Sequence, residues 1–364
     1  MAEISPTVRA GFPKPRRAIE QMTAYVPPTG NRIGKLRLDF NENTVGCSPR
    51  VAAALERLAT KEFLSTYPEY QEARRKMGKF FGLEPRQVLF SDGTDEAIHL
   101  LCGTYVEPGD EVVMPWPTFP MFRFYTQVAG GDPRRISYRQ PDLEFPLEEL
   151  LQAITPRTRL VLVANPNNPT GGAIGLAEVE TILQRAEQAA VLIDEAYFEF
   201  YGVTALDLLP RYPNLFVCRT FSKAFGLAGL RVGCLLSQPE NIASVHKGQS
   251  PYSVNSVGVL CASEAVEDQE YVRSYVRDVL EARQILLGGL RDLGVRFYST
   301  QANFVLADFS ERSDAVCQRL QERGILVRNR SGELPGTVRI TVGTKSQVGR
   351  LLAGLGEVLA ESPR

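Results

Sequence analysis

Short apolar runs alternate along the chain with longer segments that mix apolar and polar residues. The runs that we interpret as strands are 87–90, 111–114, 160–164, 191–193 and 215–218. Runs that are apolar throughout are typical of strands buried on both faces of a parallel sheet. The pattern therefore predicts an α/β architecture with a mostly parallel central sheet.

Two segments have the spacing of amphipathic helices. In the first, the apolar residues recur at steps of three and four: Leu176, Val179, Ile182, Leu183 and Ala186. Such a stripe covers one sheet face. A longer stripe within 270–293 predicts a helix that leads out of the large domain. Short strands expected at 302–307 and 337–342, with a helix between them, favour a smaller α+β domain.

These elements predict three parts. Residues 1–35 are rich in Pro, Gly, Arg and Lys and are interpreted as an extended N-terminal arm. Residues 36–265 would form the large domain, and residues 266–364 the small C-terminal domain. No period of about 20 to 50 residues repeats, so a solenoid is not expected.

Composition narrows the class of protein. The 364 residues are 44% hydrophobic, and 41 Lys and Arg face 42 Asp and Glu. This balance gives no reason to expect nucleic acid or an anionic membrane as partner. Six scattered cysteines without a C-x-x-C pair, and two histidines, signal neither a metal site nor a disulfide framework. No basic segment precedes an apolar run at the N-terminus, and no apolar stretch approaches about 18 residues. We therefore expect the cytoplasm.

The strongest local signal is a lysine at a strand end. Residues 220–233 read Thr-Phe-Ser-Lys-Ala-Phe-Gly-Leu-Ala-Gly-Leu-Arg-Val-Gly after an apolar run. The amine of Lys223 can form a Schiff base with a carbonyl if its surroundings lower its pKa. The alternative is that Lys223 and Arg231 are solvated surface charges.

Two further strand ends carry polar residues. Residues 165–171 read Asn-Pro-Asn-Asn-Pro-Thr-Gly, which is either a tight turn alone or, through Asn168, a donor at the sheet edge where α/β proteins bind ligands. Residues 194–197 read Asp-Glu-Ala-Tyr after a buried-type run. Burying Asp194 would be costly without a cationic partner; the alternative is an isolated surface carboxylate.

A fourth segment joins a strand to a helix. Residues 91–96 read Ser-Asp-Gly-Thr-Asp-Glu, and we expect the helix to begin near Ala97. Free backbone N–H groups at a helix N-terminus can bind a phosphate. An ordinary capped helix start would have the same sequence.

Together these segments resemble the fold-type I aminotransferases that depend on pyridoxal 5′-phosphate (PLP), in family order from about 36 to 344. The resemblance implies that Lys223 holds PLP as a Schiff base and that Asp194 pairs with the pyridinium nitrogen. A carboxylate there keeps the nitrogen protonated and the ring a strong electron sink. Tyr197 and Asn168 would donate hydrogen bonds to the ring oxygen.

The resemblance also implies the remaining contacts of the cofactor. Phe119 would stack on the ring. The residues expected around the cofactor phosphate are Gly93, Thr94, Asp95, Ser222 and Arg231. Tyr67 matches a residue that reaches the phosphate from the neighbouring subunit, which implies a homodimer with shared active sites.

Five stretches resemble the histidinol-phosphate aminotransferases in particular: residues 25–28, 38–43, 219–223, 251–255 and 338–344. This implies amino transfer between L-histidinol phosphate and 2-oxoglutarate, in histidine biosynthesis. Arg339 and Arg328 would hold a phosphate or a carboxylate by bidentate contacts, and Tyr25 would help close the pocket. Asn41 lies in a segment that approaches the site, with no contact assigned, and Arg330 is open to a solvated interpretation.

Three alternatives share these motifs. An aromatic amino-acid aminotransferase would keep the cofactor residues and differ in donor. A phosphothreonine decarboxylase would lose carboxylate rather than a Cα proton. A non-catalytic PLP-binding regulator belongs to another class; against it, the chain keeps Lys223, Asp194 and both substrate arginines and has no basic helix-turn-helix segment ahead of them.

Overall fold

The computed structural model describes residues 13–25, 32–58 and 60–361. Residues 1–12 and 26–31 of the predicted arm lie outside this part of the chain. Among the described residues, none of the helices combines the length and apolar character that a membrane span needs.

Two sheets are built from twelve strands within the described residues. The strands are β1 (Leu36–Leu38), β2 (Val88–Ser91), β3 (Glu111–Trp116), β4 (Asp132–Ser137), β5 (Thr158–Ala164), β6 (Ala190–Asp194), β7 (Leu215–Thr220), β8 (Gly233–Ser237), β9 (Arg296–Phe297), β10 (Phe304–Asp308), β11 (Ile325–Asn329) and β12 (Thr337–Thr341).

The helices of the same ranges lie around these sheets. They are α1 (Arg17–Glu20), α2 (Pro49–Leu58), α3 (Lys61–Ser65), α4 (Gln71–Phe81), α5 (Gly93–Tyr105), α6 (Pro120–Ala129), α7 (Leu147–Ala153), α8 (Leu176–Arg185), α9 (Phe198–Tyr201), α10 (Pro239–His246), α11 (Ser256–Ala265), α12 (Gln269–Asp292), α13 (Ser313–Glu322) and α14 (Lys345–Glu361).

The large sheet has the strand order β2-β8-β7-β6-β5-β3-β4 and is parallel except at β8. In β5, Val161 and Val163 pack into the core on one face, and Leu160 and Leu162 pack into the core on the other. Because both faces are covered, every position must be apolar. The predicted mostly parallel α/β sheet is confirmed, and so are the strands and helices predicted within it, with one exception.

That exception is the start of α5, which was predicted near Ala97 and lies at Gly93. Gly93 has a φ of +67°, a conformation that glycine adopts without strain. The chain therefore turns from β2 directly into the helix. The side chain of Asp92 makes no capping hydrogen bond to the N–H groups of the first turn.

The smaller sheet has the order β1-β11-β12-β10-β9. Within it, β11 and β12 are antiparallel with Arg328 opposite Arg339, and β1 pairs in parallel with β11. Strand β1 thus belongs to the C-terminal sheet, although the predicted division assigns it to the large domain. Three residues are too few to show a periodicity from which their partner could be read. The division at residues 36 and 266 otherwise stays a prediction.

Candidate active site

A cavity of about 490 Å³ lies between the two sheets, at the carboxyl ends of β5, β6 and β7. Twelve of the predicted site residues line it: Tyr25, Thr94, Asp95, Phe119, Asn168, Asp194, Tyr197, Ser222, Lys223, Arg231, Arg328 and Arg339. Gly93 and Tyr67 are not part of its wall. Residues far apart in sequence therefore meet in one space large enough for a small molecule.

Lys223 follows β7 and lies inside this cavity. Its Nζ donates a hydrogen bond to the Phe40 carbonyl at 2.9 Å and lies 6.0 Å from the ring centroid of Tyr197. Burial, and then the nearby charge of Arg339, lower the pKa of Lys223 to about 8. Near neutral pH, more of the Lys223 amine is therefore neutral and nucleophilic than in an ordinary lysine. The interpretation of Lys223 as a solvated surface charge is wrong.

Asp194 ends β6 and is only 3% exposed. One carboxylate oxygen accepts a hydrogen bond from the Ala196 N–H at 3.1 Å. Burial raises the pKa of Asp194 to about 6. Within the described residues no Lys or Arg forms an ion pair with it. The alternative of a surface carboxylate is wrong, and this buried acid can pair with a cationic ligand group.

An amide cluster connects the large sheet to the small one. Asn41 Nδ2 donates to Tyr197 Oη at 2.9 Å. Arg339 donates to Asn168 Oδ1 at 2.5 Å and to the Asp39 carbonyl at 2.6 Å. Because the oxygen of Asn168 is occupied, its NH₂ group remains to donate. The asparagine turn is therefore part of the cavity wall and not only a turn.

Asn41, to which no contact could be assigned from the sequence, lies at the junction of the two sheets. It adopts a φ of +57°, and its backbone N–H donates to Thr341 Oγ1 at 2.9 Å. Asparagine tolerates this left-handed conformation better than most residues. The only available signal was its place in a segment that approaches the site in similar proteins.

The opposite end of the cavity is formed by the N-terminus of α5. Thr94 and Asp95 lie in its first turn, and Arg231 Nη2 pairs with Asp95 Oδ2 at 2.8 Å. A Cβ atom on Gly93 would lie 2.5 Å from Arg231 Nη2 and would displace this guanidinium, and the φ of +67° also favours glycine here. Together with Ser222 and the Arg231 guanidinium, the N–H groups of this helix start form a concave site that we call the phosphate cup. Such a combination of donors is typical of phosphate sites.

The remaining predicted residues frame the cavity. Phe119 precedes α6 and lies at right angles to Phe122, and Tyr25 lies at the mouth, about half exposed. The Arg328 guanidinium lies 5.6 Å from the Phe40 ring centroid. Arg330 also lines the cavity and is buried, so its solvated interpretation is wrong.

Comparison with known proteins identifies the family. Residues 33–355 match the family model described as "Aminotransferase class I and II". The chain belongs to this family. A histidinol-phosphate aminotransferase of Geobacillus sp. (strain WCH70) is 36% identical to this aminotransferase over 90% of each chain. That of Bacillus subtilis (strain 168) is 34% identical over 89% of this chain and 91% of its own.

Solved structures share the fold. Histidinol-phosphate aminotransferase from Sinorhizobium meliloti, crystallised in complex with pyridoxal 5′-phosphate, superposes with a TM-score of 0.87 at 26% identity and covers 96% of this chain and 99% of its own. The predicted fold-type I architecture, the enzyme class and the PLP cofactor are confirmed.

The side chains of this aminotransferase fit PLP. Asp194 is a buried acid with no cationic side-chain partner in the described part of the chain, which suits a pyridinium nitrogen. Lys223 is an amine whose pKa is lowered to about 8, and the cup at α5 suits a phosphate. Among the described residues, no group of three or more His, Cys, Asp or Glu side chains is arranged to hold a metal ion.

A buried ion pair supports the strand ends that carry Asp194 and Lys223. Arg219 Nε donates to Glu195 Oε2 at 2.7 Å, and the Arg219 guanidinium lies 3.5 Å from the Phe198 ring centroid. Glu195 also accepts from the Ala205 N–H. This pair joins β6 to β7 next to Asp194 and Lys223, and such paired and fully hydrogen-bonded charges fix one geometry.

Tyr67 lies outside the cavity. It is 73% exposed, and its ring stacks on Tyr252, with 4.3 Å between the centroids. Its predicted contact with a cofactor phosphate stays a prediction.

Proposed function

We propose that this aminotransferase moves an amino group between L-histidinol phosphate and 2-oxoglutarate, as a cytoplasmic step of histidine biosynthesis. The observation that carries the proposal is a group of three arginines, Arg328, Arg330 and Arg339, in one cavity with Lys223. Relatives named histidinol-phosphate aminotransferase, at up to 36% identity, support the same substrate.

Charge favours anionic substrates. Five cationic side chains line the cavity against three anionic ones. Asp95 pairs with Arg231, and Glu42 pairs with Arg32 at 2.7 Å. The arginine end therefore keeps an excess of positive charge. Histidinol phosphate carries a phosphate, and 2-oxoglutarate carries carboxylates. One cluster of guanidinium groups can bind either kind of anion.

We infer the chemical roles from the same geometry. PLP supplies an electrophilic carbon for the amino group and an electron sink when the Cα proton leaves. Lys223 would hold PLP and, once displaced by the donor amine, carry the proton from the substrate Cα. Its lowered pKa, about 8, supports that role because a neutral amine must accept the proton.

Other side chains would orient the cofactor and the substrate. Asp194 would keep the ring nitrogen protonated. The NH₂ group of Asn168 and the hydroxyl of Tyr197 would donate to the ring oxygen, and Phe119 would stack on the ring. The residues proposed to hold the phosphate are Gly93, Thr94, Asp95, Ser222, Arg231 and, from the neighbouring subunit, Tyr67.

Donor preference tests the substrate. With 2-oxoglutarate as acceptor, we expect kcat/KM for L-histidinol phosphate to exceed that for L-phenylalanine by about 100-fold or more, because a phosphate adds charge-assisted hydrogen bonds to the arginines. Glutamate formation in a coupled assay measures both donors under the same conditions, with L-histidinol as the matched unphosphorylated control.

Any other outcome of this donor comparison would indicate a different function. A higher kcat/KM with phenylalanine would keep the reaction and replace the donor by an aromatic amino acid. Release of carbon dioxide from phosphothreonine without glutamate formation would point to a decarboxylase. A protein that binds PLP but converts none of these donors would be a binding module.

We also propose a homodimer in which Tyr67 reaches the partner's cavity. In support, Tyr67 and Tyr252 are 73% and 51% exposed and stack on each other. Two tyrosine rings exposed side by side are typical of a surface that a partner covers. Sedimentation velocity would give the mass of the assembly.

Mixing two variants tests whether Tyr67 acts across the interface. Tyr67→Ala should lower kcat/KM by about 10-fold, the loss of one hydrogen bond to a charged group. Heterodimers of Tyr67→Ala with Lys223→Ala subunits contain one site with both native residues if Tyr67 acts in the partner. Activity above that of the two unmixed variants is expected, and its absence in verified heterodimers would assign Tyr67 to its own subunit.

A further inference from the structure

Strand alternation brings a third arginine to the substrate end of the cavity. Arg328 and Arg330 are two residues apart, so both project to the same face of the sheet. Asn329 between them projects to the other face and donates to Asp314 in α13 at 2.5 Å. Arg339 is opposite Arg328 in the ladder. All three guanidinium groups therefore meet in one cavity.

Arg330 is buried and incompletely hydrogen-bonded. It is 7% exposed, its Nη2 pairs with Glu333, and its Nε has no hydrogen-bond partner among the described residues. Arg339 is 5% exposed, and its Nε has no partner in the same part of the chain. Buried donors of this kind are costly to leave unsatisfied. Both guanidinium groups line the cavity, and each keeps hydrogen-bonding capacity beyond its protein partners.

The local charge is not balanced by the protein. Burial lowers the pKa of Arg330; the charge of Glu333 opposes this shift, and the charge of Arg328 adds to it. Burial also lowers the pKa of Arg339, to about 10. Within the described residues, Glu333 is the one carboxylate that forms an ion pair with any of these three arginines. A ligand with more than one negative charge would relieve the imbalance.

We propose that Arg330 is the residue that selects a phosphate ester over a carboxylate at this end of the cavity. The proposal rests on the proposed function. A carboxylate has one charge and two oxygens, which one or two arginines satisfy. A phosphate monoester has three terminal oxygens and a charge of about −1.5 to −2 at pH 7. The third guanidinium therefore gains a ligand contact only in the phosphate complex.

The same arrangement explains how one site accepts two substrates. When the dicarboxylate is bound, Arg330 keeps its pair with Glu333 and contributes little. When the phosphate ester is bound, the guanidinium of Arg330 also donates to it while Nη2 remains on Glu333. Arg330 therefore contributes to the binding of one substrate, and Arg339 contributes to the binding of both.

Kinetics of Arg330→Gln test the proposal in the PLP-loaded enzyme. We expect KM for L-histidinol phosphate to rise about 30-fold, the loss of one hydrogen bond between charged groups, with kcat within about 3-fold. KM for 2-oxoglutarate should rise far less, by about 3-fold at most. Arg319→Gln is the matched control: this arginine of α13 pairs with Glu361 at 3.4 Å and does not line the cavity, so neither value should change.

Inorganic phosphate supplies a readout that does not depend on the donor. It should inhibit the native enzyme in competition with glutamate, and Arg330→Gln should raise its inhibition constant about 10-fold. If the native enzyme uses histidinol phosphate but Arg330→Gln raises both KM values equally, the selective role is wrong. If the native enzyme does not use histidinol phosphate, the proposed function is wrong, and the phosphate inhibition constants still decide the role of Arg330.

Two more variants separate selectivity from folding. Arg330→Lys keeps the charge but not the planar fork, so an intermediate KM for histidinol phosphate is expected. Glu333→Gln removes the competing carboxylate, so KM for histidinol phosphate should stay level or fall. A rise with Glu333→Gln equal to that with Arg330→Gln would show that the ion pair only holds the loop, and would overturn the proposal.

Discussion

Replacing Lys223 with alanine is expected to lower the turnover of amino transfer by at least about 10⁴-fold, because the variant loses both the covalent attachment and the proton carrier. The structure gives Lys223 a lowered pKa, about 8, and a position inside the cavity. Coupled glutamate formation measures the loss, with Lys223→Arg as the variant that keeps the charge but cannot form the Schiff base.

A readout that is independent of turnover is the covalent adduct. Borohydride reduction of the PLP-loaded native enzyme should attach the cofactor to the peptide that contains Lys223, and mass spectrometry of digested protein would locate it. The alanine variant should show no adduct while it still binds PLP through the phosphate cup. Attachment at a different lysine, or transamination by Lys223→Ala, would refute the assignment.

Asp194→Asn is expected to lower kcat by about 10² to 10³-fold, because a neutral amide no longer keeps the ring nitrogen protonated. Asp194→Glu keeps the charge and should retain more activity than the amide. Single-turnover conversion of the bound cofactor by glutamate isolates this effect from substrate release. Equal rates for Asp194→Asn and the native enzyme would remove Asp194 from the mechanism.

The same variant should stabilise the cofactor-free protein. Burial raises the pKa of Asp194 from 3.8 to about 6, equivalent to about 3 kcal/mol. Because the folded pKa lies above the unfolded one, the folded state binds more protons between these values. Native stability is therefore full below about pH 4 and falls as pH rises towards 6.

Urea unfolding of the two cofactor-free proteins checks this sign. At pH 8, Asp194→Asn should be the more stable protein by up to about 3 kcal/mol, and the difference should disappear near pH 4. An amide variant that is less stable at pH 8 would mean that Asp194 is stabilised by its neighbours more than burial penalises it. The native enzyme would then carry no stability cost for function at this position.

The sequence by itself determined the large sheet and the positions of Asp194 and Lys223 at its strand ends. In β5, burial on both faces requires an uninterrupted apolar run. The strand can therefore be predicted from its own residues, without knowing which strands lie beside it. Asp194 and Lys223 are each fixed by a strand end of that sheet, and parallel strands carry such residues to one edge. Local pattern and topology therefore indicated where these two side chains lie, whereas their roles were implied by the family resemblance.

Tertiary structure alone decided the substrate half. The pairing of β1 with β11, and the hydrogen bonds of Asn41 to Thr341 and of Arg339 to the Asp39 carbonyl, join segments about 300 residues apart. Arg330 directly follows β11, and its burial likewise depends on how the small sheet packs at the cavity. Periodicity shows that a residue alternates or repeats, but contacts between distant segments depend on how whole elements pack, and no local pattern contains that information.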